Sequence, residues 1–491
     1  MNLKQQAIRG ALWTGIQNWA GQMGAFLVFF VLARLLEPAD FGLVALANVF
    51  LAFMQIFLEQ GFAQALIQRE DLEPEHLDTA FWTNIALGIA LGLLSLITAD
   101  WIAAGFDEPR LTPILRCFSL IFLINALRGT QQAVLERQFA FKAIAMRSLL
   151  GIIIGGITGI GMALFGLGVW SLVGQQFMNE LVGTLVLWKA SNWRPRFRFS
   201  LRHFRQLFRF GSHVLGLNFL NFFNTKINDF LIGYFLGSVA LGYYAISYRI
   251  LQVMTQLLVR TTSGVSLPTF SRLKHDLNRF RNAFYTVTRL TSAIAFPFFL
   301  GTSVLAPELV TVLFGEKWLP AVPVIQLLSI LGLVRSISFF KSSVFMALGE
   351  PAWAMKLKFL SVTLNLVGFA IAFRWGIIGV TFANMMRGLI VFPVGQWVLS
   401  RMVKIPFFTY LRQFSAALVS SLVMMGLLWS VKTYLTSLIE MRIIILSLCT
   451  LLGAATYGLM LRTLAPQIFA EFWEIGKVAF SKSKPKNTQK A

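Results

Sequence analysis

The groups that build catalytic or cross-linked proteins are scarce in this chain of 491 residues. Two cysteines, Cys117 and Cys449, lie in apolar stretches far apart in sequence, which leaves neither a disulfide framework nor a metal pair. The four histidines, His76, His203, His213 and His275, show no metal-ligand spacing with a cysteine or with one another, so no metal site is expected. No phosphate-binding loop occurs, which argues against direct use of ATP. Charged residues make up only 13% of the chain, and the connections between apolar stretches leave no room for a soluble domain. No catalytic residue is assigned, and the chain does not read as an enzyme.

What is abundant is apolar surface. Hydrophobic residues reach 56% and the mean hydropathy is +0.69, the profile of a polytopic membrane protein. A helix needs about 20 apolar residues to cross ~30 Å of hydrocarbon. Such stretches recur along almost the whole chain, and their spacing predicts an all-α protein with about fourteen transmembrane helices, from 10–34 to 441–462. The first stretch is too long for the core of a signal peptide and ends in no small-residue cleavage site. It reads as a retained helix, with the mature chain starting at or near Met1.

The formal net charge of +22 would suggest nucleic acid in a soluble protein, but here the basic residues follow topology. With a cytoplasmic N-terminus, the inner connections receive Arg137, Lys142, Arg147, Lys189, Arg194, Arg196, Arg198, Arg202, Arg205 and Arg209, then Arg272, Lys274, Arg279, Arg281, Lys356, Lys358, Arg401 and Lys404. The outer turns 165–168 and 236–239 have no Lys or Arg, and 314–320 has only Lys317. This positive-inside pattern places both termini in the cytoplasm and removes nucleic acid as a partner. The inner loop 69–77 is the exception, with Arg69 outnumbered by acids, which weigh little in the rule.

Shifting the chain by 200 residues lays Leu36-Glu37-Pro38-Ala39-Asp40-Phe41-Gly42 over Leu236-Gly237-Ser238-Val239-Ala240-Leu241-Gly242. Asn18 then meets Asn218, Phe30 meets Phe230, Ala45 meets Ala245 and Met54 meets Met254. Both copies fall where a first helix turns into a second, so the chain reads as two six-helix lobes in parallel repeat. The divisions are an N-lobe at 1–192, an amphipathic cytoplasmic linker at 193–209, a C-lobe at 210–404, two further helices at 405–465 and a basic cytoplasmic tail at 466–491. Gly42 and Gly242 are expected to permit tight outer turns. In the linker, Arg198, Arg202, Arg205 and Arg209 share a face opposite Leu201, Phe204 and Phe208, as in a helix lying in the inner headgroup layer.

The most informative residues are cations inside apolar stretches, since a charge at the bilayer centre costs at least ~2.5–3.5 kcal/mol unless it faces protein, water or ligand. Arg249, Arg335 and Arg387 have no acid one turn away and are the leading substrate-binding candidates. Arg128, Lys226 and Lys341 are further candidates, with Arg260 a possible helper; Arg128, Arg260 and Lys341 lie close enough to an end to snorkel. Lys226 and Asp229 are i, i+3 partners that can neutralise each other. Polar stripes at helical spacing accompany them: Asn48, Gln55 and Glu59; Asn125, Arg128 and Gln132; Gln176, Asn179 and Glu180; Asn384 and Arg387. Glu59, Glu180 and Asp229 are left to pair with these cations or to bind a coupling proton or Na⁺; no other cofactor is expected. Cationic stripes facing a hydrated cavity suit an anionic substrate.

Five segments, in order, resemble one known family. They are Ala33-Arg34-Leu35-Leu36-Glu37-Pro38-Ala39-Asp40-Phe41-Gly42, Asn228-Asp229-Phe230-Leu231-Ile232-Gly233-Tyr234-Phe235-Leu236-Gly237, Leu241-Gly242-Tyr243-Tyr244-Ala245, Pro268-Thr269-Phe270-Ser271-Arg272-Leu273, and Leu305-Ala306-Pro307-Glu308 through Leu313-Phe314-Gly315-Glu316-Lys317-Trp318. The family is that of polysaccharide transporters, the lipid-linked oligosaccharide or lipopolysaccharide flippases of the multidrug, oligosaccharidyl-lipid and polysaccharide exporter superfamily. The resemblance implies a V-shaped pair of six-helix lobes with two extra helices, working by alternating access in a bacterial inner membrane. It implies transfer of an undecaprenyl-pyrophosphate-linked glycan to the outer leaflet for surface polysaccharide synthesis, with glycosyltransferases and a polymerase of the same pathway as partners. A monomer is the expected working unit. One alternative is a cation-coupled drug or organic-ion antiporter on the same scaffold, which should be dominated by buried acids rather than cations. The other is a membrane glycosyltransferase or polymerase, which needs a large outer loop with paired carboxylates.

Overall fold

The computed structural model describes residues 3–58, 61–69, 71–468 and 470, with side chains from Trp19 onward except those of 210, 213, 214, 217 and 257–268. Every element among the described residues is a helix. The order is α1 (Leu3–Leu35), α2 (Pro38–Leu58), α3 (Phe62–Gln68), α4 (Pro74–Gly105), α5 (Leu111–Arg137), α6 (Phe141–Leu164), α7 (Trp170–Ala190), α8 (Leu201–Leu273) and α9 (Leu277–Val304). Then come α10 (Ala306–Leu313), a 3₁₀ turn (Glu316–Ala321), α11 (Val322–Ser338), α12 (Lys341–Ala347), α13 (Pro351–Ala372), a second 3₁₀ turn (Phe373–Trp375), α14 (Gly376–Val403), α15 (Phe407–Leu438) and α16 (Arg442–Leu464).

Ten stretches of the described residues are long and apolar enough to cross a membrane, and the protein is a multi-pass membrane protein. Hydropathy divided the chain into about fourteen. The difference has two sources. Residues 218–256 and 351–403, of 39 and 53 residues, each form one apolar stretch although ~20 residues suffice for a crossing. Gly237, at φ 83 and ψ 176, breaks the first; the 3₁₀ turn and Gly376, at φ 66, interrupt the second. Secondly, α7 is too polar to qualify, and α1 counts as a shorter apolar helix through Trp19–Leu35, the part of it whose side chains are described. The expected span 42–66 also divides, since α2 ends at Leu58 and α3 is separate.

Two compact units divide the chain: residues 1–246 with 313–318, and 247–312 with 319 onward. The division falls inside α8, whereas the sequence put the boundary between halves at 193–209. In that linker helix begins only at Leu201; residues 191–200 have no regular secondary structure and are bound to the start of α4. The Arg196 amide donates to Asp78 (3.0 Å), the Ser200 amide to Thr79 (3.2 Å), and Trp82 Nε1 to the Arg196 carbonyl (2.7 Å). The tail beyond 470 lies outside the described residues.

In the first unit α6 presents Gly151, Gly155 and Gly159 at four-residue spacing to α7. A β-carbon at these positions would stand 2.3 Å from Asn179 Oδ1, 2.7 Å from the Gln175 carbonyl oxygen and 2.8 Å from Gln175 Cβ, respectively. The absent side chains let the helix backbones approach closely, a membrane substitute for hydrophobic driving force. In the second unit α9 packs on α11 and α15, and α16 packs on α15. Leu300, Leu305, Met424, Leu428, Ile445 and Cys449 fill that seam.

Candidate functional site

The polar face of α5 opens on a cavity of about 300 Å³ in the first unit, lined by Asn125, Arg128, Gln132 and Glu136 with Gln55 of α2 and Asn84 of α4. Helical spacing forces this arrangement, because 125, 128, 132 and 136 fall on one face. Arg128 makes a close ion pair with Glu180 of α7. Arg147 of α6 donates to Gln132 at 3.1 Å, and Gln132 donates to Glu136 at 2.8 Å. Deeper in the unit, Gln176 donates to Asn48 at 2.9 Å. The side-chain carbonyl oxygens of Asn84 and Asn125 are buried without a hydrogen-bond partner among the described residues. Such acceptors can take hydroxyl donors from a sugar or water.

The sequence stripes on α2, α5 and α7 therefore meet in one unit. Asn84 and Glu136 were missed as cavity groups, Asn84 because it has no polar stripe around it, and Arg147, read as a loop charge, was missed as a partner of Gln132. The expected coupling-ion and substrate groups prove to be partners of one another. Glu180 holds Arg128, and Asp229 holds Lys226 at 3.0 Å. Glu59 and the side chain of Arg260 lie outside the described residues.

The second unit contains the other four expected cations, each in a different setting. Arg249 is half-buried in the apolar stretch 218–256 and has no hydrogen-bond or ion-pair partner among the described residues. Arg335 of α11 donates to the Tyr248 hydroxyl at 3.1 Å, with its guanidinium 5.3 Å from the centre of the same ring. Arg387, 8% exposed, lines a cavity of about 830 Å³ walled by Leu327, Leu364, Phe382 and Met386, a lining that includes neither Arg249 nor Arg335. Lys341 is enclosed: its ammonium donates to the Phe392 carbonyl at 3.0 Å and lies 4.2 Å from the Phe392 ring centre. The Tyr410 ring centre lies 5.8 Å from the same ammonium.

Another cluster was invisible to spacing. His76, at the start of α4, and His203, at the start of α8, have ring centres 4.1 Å apart, and His203 Nε2 lies 3.1 Å from the Glu73 carboxylate. The histidines stand far apart in sequence, so only the docking of the linker onto α4 brings them together.

With this geometry in view, residues 31–323 match the family described as polysaccharide biosynthesis protein. The chain belongs to that family. Among relatives of the polysaccharide biosynthesis protein family, it is 26% identical to the teichuronic acid biosynthesis protein TuaB of Bacillus subtilis (strain 168), over 97% of this chain and 100% of that one. It is 30% identical to the succinoglycan biosynthesis transport protein ExoT of Rhizobium meliloti (strain 1021), over 62% of each chain. Its fold resembles that of the lipid II flippase MurJ in an inward closed conformation, with a TM-score of 0.72 over 96% of this chain and 100% of that one, at 16% identity.

Proposed function

We propose that this member of the polysaccharide biosynthesis protein family is a flippase, moving an undecaprenyl-pyrophosphate-linked oligosaccharide from the inner to the outer leaflet of a bacterial inner membrane. Glycosyltransferases of the same surface-polysaccharide pathway supply the substrate and a polymerase consumes it. The observation that carries this reading is Arg249, a guanidinium in a membrane-crossing stretch with no partner among the described residues. Such a group costs at least ~2.5–3.5 kcal/mol in hydrocarbon, and a membrane chain retains it where it meets water or an anion. A diphosphate is the anion this side chain fits best, since guanidinium binds phosphate oxygens in bidentate fashion.

The chemistry needs no catalyst. Arg249, Arg335 and Arg387 of the second unit are the cations offered to diphosphate oxygens, and, considered separately, the amides of Gln55, Asn84 and Asn125 in the first unit can bond hydroxyl groups. Arg128 supplies coupling: it is paired with Glu180, and protonation of Glu180 frees the guanidinium for phosphate. Na⁺ bound to the same carboxylate would act likewise, and Asp229 with Lys226 forms a second pair of this kind. The working unit is a monomer with fourteen crossings, two six-helix lobes in alternating access followed by two further helices, and both termini in the cytoplasm.

Reconstitution in vesicles with a fluorescent lipid-linked oligosaccharide tests this reading. Wild-type protein should expose the headgroup to a membrane-impermeant quencher, and Arg249→Ala, Arg335→Ala and Arg387→Ala should slow that exposure. Unchanged flipping in all three variants overturns the assignment of these cations. Equal rates with and without an imposed proton or Na⁺ gradient remove Glu180 and Asp229 as coupling groups.

A further inference from the structure

We infer that Glu73, His76 and His203 form a site for a divalent transition-metal ion that clasps the start of α8 to the start of α4. One ligand atom from each of the three residues lies within 4.8 Å of the other two. Glu73 Oε2 and His203 Nε2 are already 3.1 Å apart. Two ligands at Zn–N and Zn–O lengths of 2.0–2.1 Å in tetrahedral geometry stand about 3.3 Å apart, so this pair needs almost no adjustment. His76 is 1% exposed, which shields one side of the cluster from water.

The hydrogen bonds show which positions an ion would take over. Glu73 caps α4, and its backbone N–H donates to His76 Nδ1 at 3.2 Å. His76 Nε2 therefore bears the proton and donates to Gln206 Oε1 at 3.1 Å. Coordination through His76 Nδ1 gives up the Glu73 N–H bond, because the metal takes the lone pair that accepts it, and keeps the Gln206 bond, with Gln206 fixing the tautomer as an outer partner. His203 donates through Nε2 to Glu73, and its Nδ1 is buried without a hydrogen-bond partner. When a metal replaces the Nε2 proton, Nδ1 has a free lone pair to accept it, so His203 stays neutral.

The donor set selects the ion. Two imidazoles and one carboxylate suit Zn²⁺, Co²⁺ or Ni²⁺, whereas Mg²⁺ and Ca²⁺ prefer oxygen ligands. The neighbouring carboxylate of Glu75 is engaged by Arg198 at 3.0 Å and is not needed as a ligand. A bound ion would add a coordinate link to a segment already held through Asp78, Thr79 and Trp82.

Co²⁺ titration of the full-length chain, free of any histidine tag and stripped with chelator, tests the site by visible absorption. Wild-type protein should bind one Co²⁺ in the micromolar range with the intense bands of four-coordinate geometry. Zn²⁺ should displace it and raise the thermal unfolding midpoint. His203→Gln keeps an amide donor for Glu73, so it should elute from size exclusion as wild type does while losing the bands. Gln206→Ala should weaken affinity by about 10–100-fold. His213 and His275 remain in every variant. Absence of the bands from wild-type protein, or their persistence in His203→Gln and in His76→Ala, overturns the proposal.

Discussion

Gly42 and Gly242 pack backbone against backbone. A β-carbon on Gly42 would stand 1.7 Å from the Ser238 carbonyl oxygen, and one on Gly242 would stand 1.9 Å from the Pro38 carbonyl oxygen. The contact is reciprocal: Pro38 and Ser238, like Gly42 and Gly242, are the same positions in the two copies of the repeat. Each glycine lies just past the turn, in the helix that follows it. The turn in the second copy is made by Gly237 at φ 83, and the first copy breaks between Leu35 and Pro38. Gly42 and Gly242 lack side chains because α2 and α8 approach one another there. Nearby, Ser238 donates a short hydrogen bond to Glu108, and Trp318 Nε1 donates to the Ala33 carbonyl at 2.8 Å.

Gly42→Ala and Gly242→Ala should each destabilise the protein by about 1–3 kcal/mol, because the added methyl meets backbone that cannot rotate away. Either substitution breaks the same contact, so the double variant should cost less than the sum. Thermal unfolding of the purified variants measures this. Neutral single variants, or strictly additive ones, would contradict the packing.

How much was legible follows from which information is local. Apolar length is local, so the helices and the break near residue 237 could be read from the chain. Helical period is also local, and it put Asn125, Arg128 and Gln132 on the face that lines the cavity. Which face meets which is not local. Glu180 was left either to pair with a cation or to bind a coupling ion, because nothing in a one-dimensional pattern joins α5 to α7. The aromatic shelf beneath Lys341 was not legible because it comes from α14 and α15.

The Arg128–Glu180 pair should show non-additive energetics. Its side chains are 16% and 24% exposed, so the pair is neither fully buried nor freely screened. Glu180→Ala leaves two guanidinium groups, Arg128 and Arg147, without their shared neutralising charge and should cost about 1.5–3 kcal/mol. Adding Arg128→Ala should recover part of that loss. A double-mutant cycle by thermal or denaturant unfolding reports the coupling, and a coupling energy of zero would remove the pair.

Arg249→Ala and Lys341→Ala should separate function from stability. Arg249 gives up no hydrogen bond or ion pair among the described residues, so its removal should leave expression and unfolding near wild type while slowing flipping. Lys341→Ala empties a space beside Phe392 and Tyr410 and forfeits a desolvated cation–π contact of about 2 kcal/mol. Its unfolding midpoint should fall. Parallel unfolding and vesicle assays distinguish the two cases, and a destabilised Arg249→Ala with intact Lys341→Ala would reverse the roles.

Glu308 and Lys432 join α10 to α15 through a 2.9 Å ion pair whose side chains are 2% and 17% exposed. Lys432 also donates to the Val304 carbonyl at 2.8 Å, which fixes the ammonium over the end of α9. Removing one partner strands a buried charge, so Lys432→Met alone should cost about 3–5 kcal/mol. In Glu308→Gln/Lys432→Met no charge remains, and the desolvation cost of both ions disappears. The double variant should therefore unfold at a higher temperature than Lys432→Met, despite having one more substitution. Size exclusion and thermal unfolding in detergent measure the order, and a double variant less stable than Lys432→Met would show that the pair itself, rather than charge balance, holds α15 in place.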